Sequence, residues 1–140
     1  MTERHLMDIV HDQRPLTMPA TATVKEACRN MRERRVGAVL VTEGQQRLVG
    51  IFTGRDAVAR VLAEGKNAAS TPLAEVMTAK PTAIDPGSKA IDALRLMQDC
   101  GCRHLPVTKA GHVVGIVSRG DFRGLEQARL DEETGLWERI

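Results

Sequence analysis

Two apolar–polar rhythms alternate along this chain. The short group Leu6-Met-Asp-Ile-Val10 reads as one or two helical turns, and Pro15 to Pro19 as an extended lead-in strand. Thr23-Val-Lys-Glu26 is a capping box, and Val24, Ala27, Cys28 and Met31 follow at helical spacing, with Arg29, Arg32, Glu33 and Arg34 on the other faces. Gly37 opens an apolar run of strand length, Ala38 to Val41. A turn around Gly44 leads to a second run, Leu48 to Phe52. Ala57, Val58, Val61 and Leu62 return to helical spacing, and Gly65 suits the left-handed helix end.

Residues 66–71 are small and polar, the pattern of a linker, and then the rhythms restart. Thr71-Pro72 is expected to cap a short helix, Leu73 to Met77, with Pro at the first helical position. Pro81 to Ile84 repeats the lead-in strand, and Asp85-Pro-Gly-Ser88 makes a turn and a cap. The next helix carries Ala90, Ile91, Ala93, Leu94 and Met97 inward. Leu105 to Val107 and Val113 to Val117 read as strands. A shift of about 66 residues superposes Pro15 on Pro81, Ala27 on Ala93, Met31 on Met97 and Val41 on Val107. The chain is a tandem repeat of strand, helix, strand, strand, helix. Each copy is small for a core of its own, so the two are expected to pack face to face.

Both copies end alike. Gly50 to Asp56 reads GIFTGRD, and Gly115 to Asp121 reads GIVSRGD. Each places a hydroxyl and an Asp where a strand pattern gives way to a helix pattern. Taken singly, a Ser or Thr followed three residues later by an acid is a capping box. Taken as a matched pair, the hydroxyl turns point to ligand binding. The first helical N–H groups and the helix dipole favour an anion, and an Asp accepts hydrogen bonds from ribose hydroxyls in dinucleotide folds.

Composition narrows the classes. The chain has 140 residues, 42% hydrophobic and 27% charged, a globular balance. No apolar run has the length of a membrane span, and the first fifteen residues lack an uninterrupted apolar region, which leads to a cytoplasmic expectation. A net charge of +2, no Tyr, two Phe and one Trp give little ground for nucleic-acid binding, although Arg29, Arg32, Arg34 and Arg35 cluster. Three cysteines in a reducing compartment imply no disulfide framework.

The paired glycine–apolar–hydroxyl–Asp endings, MTAKP at the start of the second copy and RHLPV at Arg103 to Val107 resemble a pair of CBS domains, the tandem arrangement called a Bateman module. The resemblance covers residues 6 to about 126. It implies an α/β fold of two tandem CBS units (β-α-β-β-α) with pseudo-two-fold symmetry. The expected division is 1–65 for the first unit with its lead helix, 66–72 for a linker, 73–126 for the second unit, and 127–140 for a helical tail. It also implies a regulatory module, not a catalyst, that binds AMP, ADP, ATP, NAD or S-adenosylmethionine in clefts between the paired units. Carried over by position, Asp56 and Asp121 would take ribose hydroxyls, and Thr53 and Ser118 ribose or phosphate oxygens. Arg55 and Arg119 would meet phosphate. Thr17, Met18, Thr82 and Ile84 on the lead-in strands, with Gly37, Ala38, His104 and Pro106 on the middle strands, would line the base pocket. Arg103 is a second phosphate candidate or a solvated strand-end charge. Such modules commonly form two-fold dimers through their helices, and this one would signal to an unknown regulated protein.

Other readings remain beside it. A dimerising scaffold with non-functional clefts would use the same fold. Cys100-Gly-Cys102-Arg-His104 offers Cys and His, but zinc sites need a second ligand pair, and the repeat aligns Cys102 with Val36 and Cys28 with Leu94 as small core-facing residues. His5, His11, His104 and His112 form no spacing that argues catalysis. The apolar group Leu136, Trp137 and Ile140 in the tail would cover the core or a dimer partner, or carry the signal onward.

Overall fold

The computed structural model of the chain describes residues 4–122 and Glu126. It divides into two compact units. One holds Arg14–Pro81 with Ala110–Val113; the other holds the described residues up to Gln13, Thr82–Lys109 and those from Val114 onward.

In the unit built on the first repeat, β1 (Thr17–Met18) runs parallel to β2 (Ala38–Glu43), and β2 antiparallel to β3 (Arg47–Thr53). α2 (Val24–Arg34) starts with the expected capping box: the Thr23 hydroxyl accepts from the Glu26 N–H, and the Glu26 carboxylate accepts from the Thr23 N–H, both at 3.2 Å. Its Val24, Ala27 and Met31 are buried with Val39, Val41, Phe52 and Val61. Each fully buried Val, Phe or Met side chain contributes about 1.5–3 kcal/mol, so this face holds the unit together. After β3, α3 (Gly54–Asp56) widens into a π-helical stretch, Ala57–Leu62. There the Ala63 N–H reaches the Val58 carbonyl and the Lys66 N–H the Val61 carbonyl, five residues back. Gly65 closes the helix at φ 68°.

In the other unit, α5 (Ala90–Cys100) buries Ala90, Ile91, Ala93, Leu94 and Met97, the residues that helical spacing selects. β5 (His104–Lys109) lies beside β6 (His112–Ser118). The lead-in strand expected over Pro81 to Ile84 reduces to one parallel bridge, Ile84 to Val107. A 3₁₀ turn, Arg119–Asp121, follows β6, and Phe122 is already extended (φ −94°, ψ 137°), so no helix continues directly from the turn. Leu125 and the apolar tail group around Trp137 lie outside the described residues.

The helix ahead of each repeat joins the core of the other. Leu6 and Val10 of α1 (Leu6–Val10) are buried with Ala93, Met97, Leu105, Val107 and Val117. Leu73 and Val76 of α4 (Leu73–Val76) are buried with Val24, Ala27 and Phe52. In sequence α1 precedes the first repeat and α4 the second, while the packing joins each to the core of the other repeat. The docking bonds match pair by pair. The Leu6 N–H reaches the Ser88 carbonyl (2.9 Å) and the Ala90 N–H the Arg4 carbonyl (2.8 Å). Likewise the Leu73 N–H reaches the Ala22 carbonyl (2.8 Å) and the Val24 N–H the Thr71 carbonyl (2.9 Å).

These bonds explain why two expected caps moved. Pro72 is the extended N-cap of α4 and not its first residue, while the Thr71 hydroxyl donates to the Asn67 carbonyl (2.7 Å). Lys89, not Ser88, is the N-cap of α5. The orphan amides already have backbone partners, so no side-chain oxygen is required. Close packing also dictates the glycine of each motif. A Cβ on Gly50 would lie 2.4 Å from the Met77 Sδ, and one on Gly115 2.6 Å from the Val10 Cβ. The short strand β4 (Thr78–Ala79), which pairs antiparallel with β3, has no counterpart in the sequence reading.

The cysteines correct another expectation. Cys100 and Cys102 are bonded to each other, with their Cα atoms 5.3 Å apart, and Cys28 is free. Counting cysteines tests for a framework that staples distant segments, whereas this bond closes across one left-handed residue, Gly101 (φ 69°). Cys28 and Cys102 are half-buried, and Val36 is 41% exposed, so the Cys102–Val36 position does not face a core.

Candidate functional site

The two hydroxyl turns are built alike. Thr53, at the end of β3, accepts through Oγ1 from the Asp56 N–H (3.3 Å). Oδ2 of Asp56 accepts from the Thr53 N–H (3.0 Å) and from its hydroxyl (3.2 Å). The neighbouring Gly54 N–H donates to the Gly37 carbonyl (3.2 Å), and Ala38 lies opposite Thr53 in the β2–β3 register. Gly37, Ala38, Thr53 and Asp56 are thereby brought together, with Arg55 exposed on the same turn. Thr17 is half-buried on β1, opposite Leu40. Met18 belongs to the core, and its Sδ accepts from the Asn30 Nδ2 at 3.5 Å.

In the second copy, Oδ2 of Asp121 accepts from the Ser118 N–H (2.6 Å) and from its hydroxyl (3.2 Å). The Arg119 N–H donates to the Arg103 carbonyl (3.1 Å), as Gly54 does to Gly37. Arg103 and Arg119 are exposed, and His104 is half-buried. Burial pushes the His104 imidazole below its ordinary pKa; Asp121 pulls it back upward and Arg103 pushes it down further. Buried Pro106 accepts the Ile84 N–H at its carbonyl (3.0 Å), and half-buried Ile84 packs on the core; Thr82 is exposed.

The carboxylates differ in depth. Asp56 is 8% exposed, and its Oδ1 meets the Thr78 hydroxyl and the Arg60 Nε, each at 3.5 Å. Asp121 is half-buried, and its Oδ1 has no partner among the described residues. Arg60 stands four residues after Asp56, so helical spacing could have flagged it. Thr78 comes from β4 and had no signal. Arg4 was also missed. Its Nη2 donates to the Asp121 carbonyl (3.0 Å), and its guanidinium forks onto Glu126 at 2.7 and 2.9 Å. Hydroxyl, carboxylate and guanidinium on one turn suit a ligand that carries both hydroxyls and anionic oxygens. Among the described residues no group of three or more His, Cys, Asp or Glu is placed to hold a metal ion, and no helix is long and apolar enough to cross a membrane.

The family profile of the CBS domain matches this chain twice, over residues 6–63 and 73–126. The chain belongs to the CBS-domain family. The two matches make it a tandem CBS pair, and they follow the sequence repeat. The CBS domain-containing protein CBSCBSPB1 of Arabidopsis thaliana is 40% identical over 102 residues, 73% of this chain; the chain spans 19% of that relative's length. A solved structure from Burkholderia ambifaria, described as a putative signal-transduction protein with CBS domains, is 30% identical with a TM-score of 0.77, covering 84% of this chain and 89% of that one. The CBS domain protein PAE2072 of Pyrobaculum aerophilum, solved with AMP, shares the fold at a TM-score of 0.81 and 22% identity, over 91% of this chain and 98% of that one.

Proposed function

We propose that this CBS pair is a regulatory module that binds an adenine nucleotide (AMP, ADP or ATP) or NAD at its hydroxyl turns and signals to a separate partner protein. The observation that carries this reading is the Ser118–Asp121 turn. It leaves one carboxylate oxygen of Asp121 unpartnered among the described residues, with Arg103, His104 and Arg119 on the adjoining backbone. Oδ1 of Asp121 accepts the ribose hydroxyls, the Ser118 hydroxyl a ribose or phosphate oxygen, and Arg119 and Arg103 the phosphate. AMP in the Pyrobaculum relative supports an adenosine-containing ligand. In the first copy Thr53, Arg55 and Asp56 take the same roles, with Thr17, Gly37 and Ala38 beside the base. The deeper, ion-paired Asp56 makes this the weaker site. Ligand acts on the protein by its differential affinity for two arrangements.

Val58 and Leu62, four residues apart after Asp56, are 60% and 73% exposed. They support a homodimer formed through this helix. One observation favours a second reading, a dimerising scaffold without nucleotide: each motif carboxylate already binds its own turn through Oδ2.

Calorimetric titration with AMP, ADP, ATP, NAD and S-adenosylmethionine tests both readings, beside Asp56→Ala and Asp121→Ala. Binding of one ligand that Asp121→Ala abolishes is the expected result. No heat from any of them in folded, ligand-free protein would leave the scaffold.

A further inference from the structure

The turn that joins α5 to β5 is made twice, by different means. In the first repeat Arg35 takes the left-handed conformation (φ 55°), and the Val36 N–H returns to the Met31 carbonyl (3.0 Å). In the second, Gly101 takes it (φ 69°), and the Cys102 N–H returns to the Met97 carbonyl (3.0 Å). Both are the same helix-ending arrangement. The first copy forms without any crosslink, so the helix ending itself does not require the Cys100–Cys102 bond. What the bond adds is chemistry, at a sensitive place. Cys100 is exposed, and one residue past Cys102 the Arg103 carbonyl holds the Arg119 N–H. His104, the next residue, begins β5. Crosslink and hydroxyl turn are therefore joined by a single residue and one hydrogen bond.

We infer that Cys100–Cys102 is a thiol–disulfide modification site, opened by a dithiol reductant, whose state sets the geometry of the Arg103–His104 segment and so the ligand affinity of the second copy alone. A reductant thiolate attacks the sulfur of Cys100, the exposed residue of the pair, and the S–S bond breaks with its electron pair leaving on Cys102, which takes up a proton. The second reductant thiol then displaces Cys100 from the mixed disulfide. The protein gains two electrons and two protons, and the reductant ends as a disulfide. Reduction frees both side chains: the helix-ending bonds to Gln98 and Met97 stay, while the constraint that the crosslink places on Cys102, next to Arg103 and His104, is lifted. Cys28 stands apart: it is half-buried against the first-repeat core and has no cysteine partner.

The ligand consequence rests on the nucleotide reading; the conformational one does not. The full-length protein, air-oxidised and then treated with dithiothreitol, is alkylated and weighed, and its His104 ring and Arg119 amide signals are followed by NMR. Before reduction no rapid alkylation is expected; afterwards two cysteines react fast and Cys28 slowly, and both NMR signals move. In a Cys100→Ser/Cys102→Ser double variant, whose turn needs no crosslink, reductant moves neither. AMP titrated into Asp56→Ala protein is expected to change affinity at least about five-fold between the redox states. Rapid alkylation of Cys100 and Cys102 in oxidised protein, or unmoved His104 and Arg119 signals after reduction, overturns the proposal. So does AMP bound equally in both states. No binding of AMP, ADP, ATP or NAD in either state, with His104 and Arg119 still responding, supports the switch and removes the nucleotide reading.

Discussion

Thr53 and Ser118 open turns of one design, yet the carboxylates they bind lie at different depths. Asp56 is closed in by Thr78 and Arg60; Asp121 keeps one oxygen without a partner among the described residues. What surrounds the turns decides this. β4 runs beside β3 and brings Thr78 to Asp56, and the helix continuing past Asp56 brings Arg60. After Asp121 the chain is extended at Phe122. One motif thus serves as a buried helix start in one place and an accessible turn in the other. The same capping-box atoms are closed in by neighbours in one copy and less so in the other.

The largest effect expected is in the cores, at a position where the copies differ in side-chain size. Phe52 and Val117 occupy matching positions, and both are fully buried. Phe52→Ala is expected to cost about 3–5 kcal/mol and Val117→Ala about 2 kcal/mol in urea unfolding. Equal losses would show that the first-repeat core relaxes around the gap. Next come the motif glycines. Gly115→Ala drives a Cβ against the branched base of Val10 and should cost about 1–3 kcal/mol. Gly50→Ala meets the flexible end of Met77, which can turn aside, and should cost less than about 1 kcal/mol. A larger penalty at Gly50 would reverse this account of the packing.

The carboxylates themselves should separate stability from binding. Asp56→Ala strands more partners and is expected to cost about 1–2 kcal/mol, against about 0.5–1 kcal/mol for Asp121→Ala. AMP affinity should follow the opposite order, falling at least about tenfold in Asp121→Ala and less in Asp56→Ala. If both properties fall together in the same variant, depth does not distinguish the sites.

The smallest effect concerns pH. Burial holds the His104 pKa below the ordinary imidazole value near 6.5, so folding disfavours its protonated form. As pH falls through about 6.5, the unfolded chain takes up a proton that the folded chain resists. Stability therefore declines from that pH downward, and this contribution levels off once the lowered folded value is passed. The other groups acting on the ring are Asp121, which opposes the shift, and Arg103, which adds to it. Melting temperatures from about pH 8 to about pH 5 should fall less in His104→Gln than in the natural protein. Parallel curves would exclude this role for His104.

Much of the architecture was legible in local pattern. Helical spacing selected the buried face of α5 residue by residue, and Thr23-Val-Lys-Glu26 is the capping box its letters describe. The turn glycine at 65 and both hydroxyl turns were visible for the same reason, since their bonds span three or four residues. The displaced caps at Pro72 and Lys89 were not, because the first amides of their helices, those of Leu73, Ala74 and Ala90, are satisfied by segments far along the chain. Nor was the Cys100–Cys102 bond, which depends on the left-handed turn at Gly101 and not on cysteine count.

By itself the sequence determined the repeat, which side of each element is apolar, and where a hydroxyl and an Asp would close a turn. Periodicity says that a residue faces a core but not which core. Only the tertiary structure placed Leu6 and Val10 with the second repeat and Leu73 and Val76 with the first, and only it set the depths of Asp56 and Asp121. Exposure is a property of neighbours, and the neighbours that matter here arrive from elsewhere in the chain.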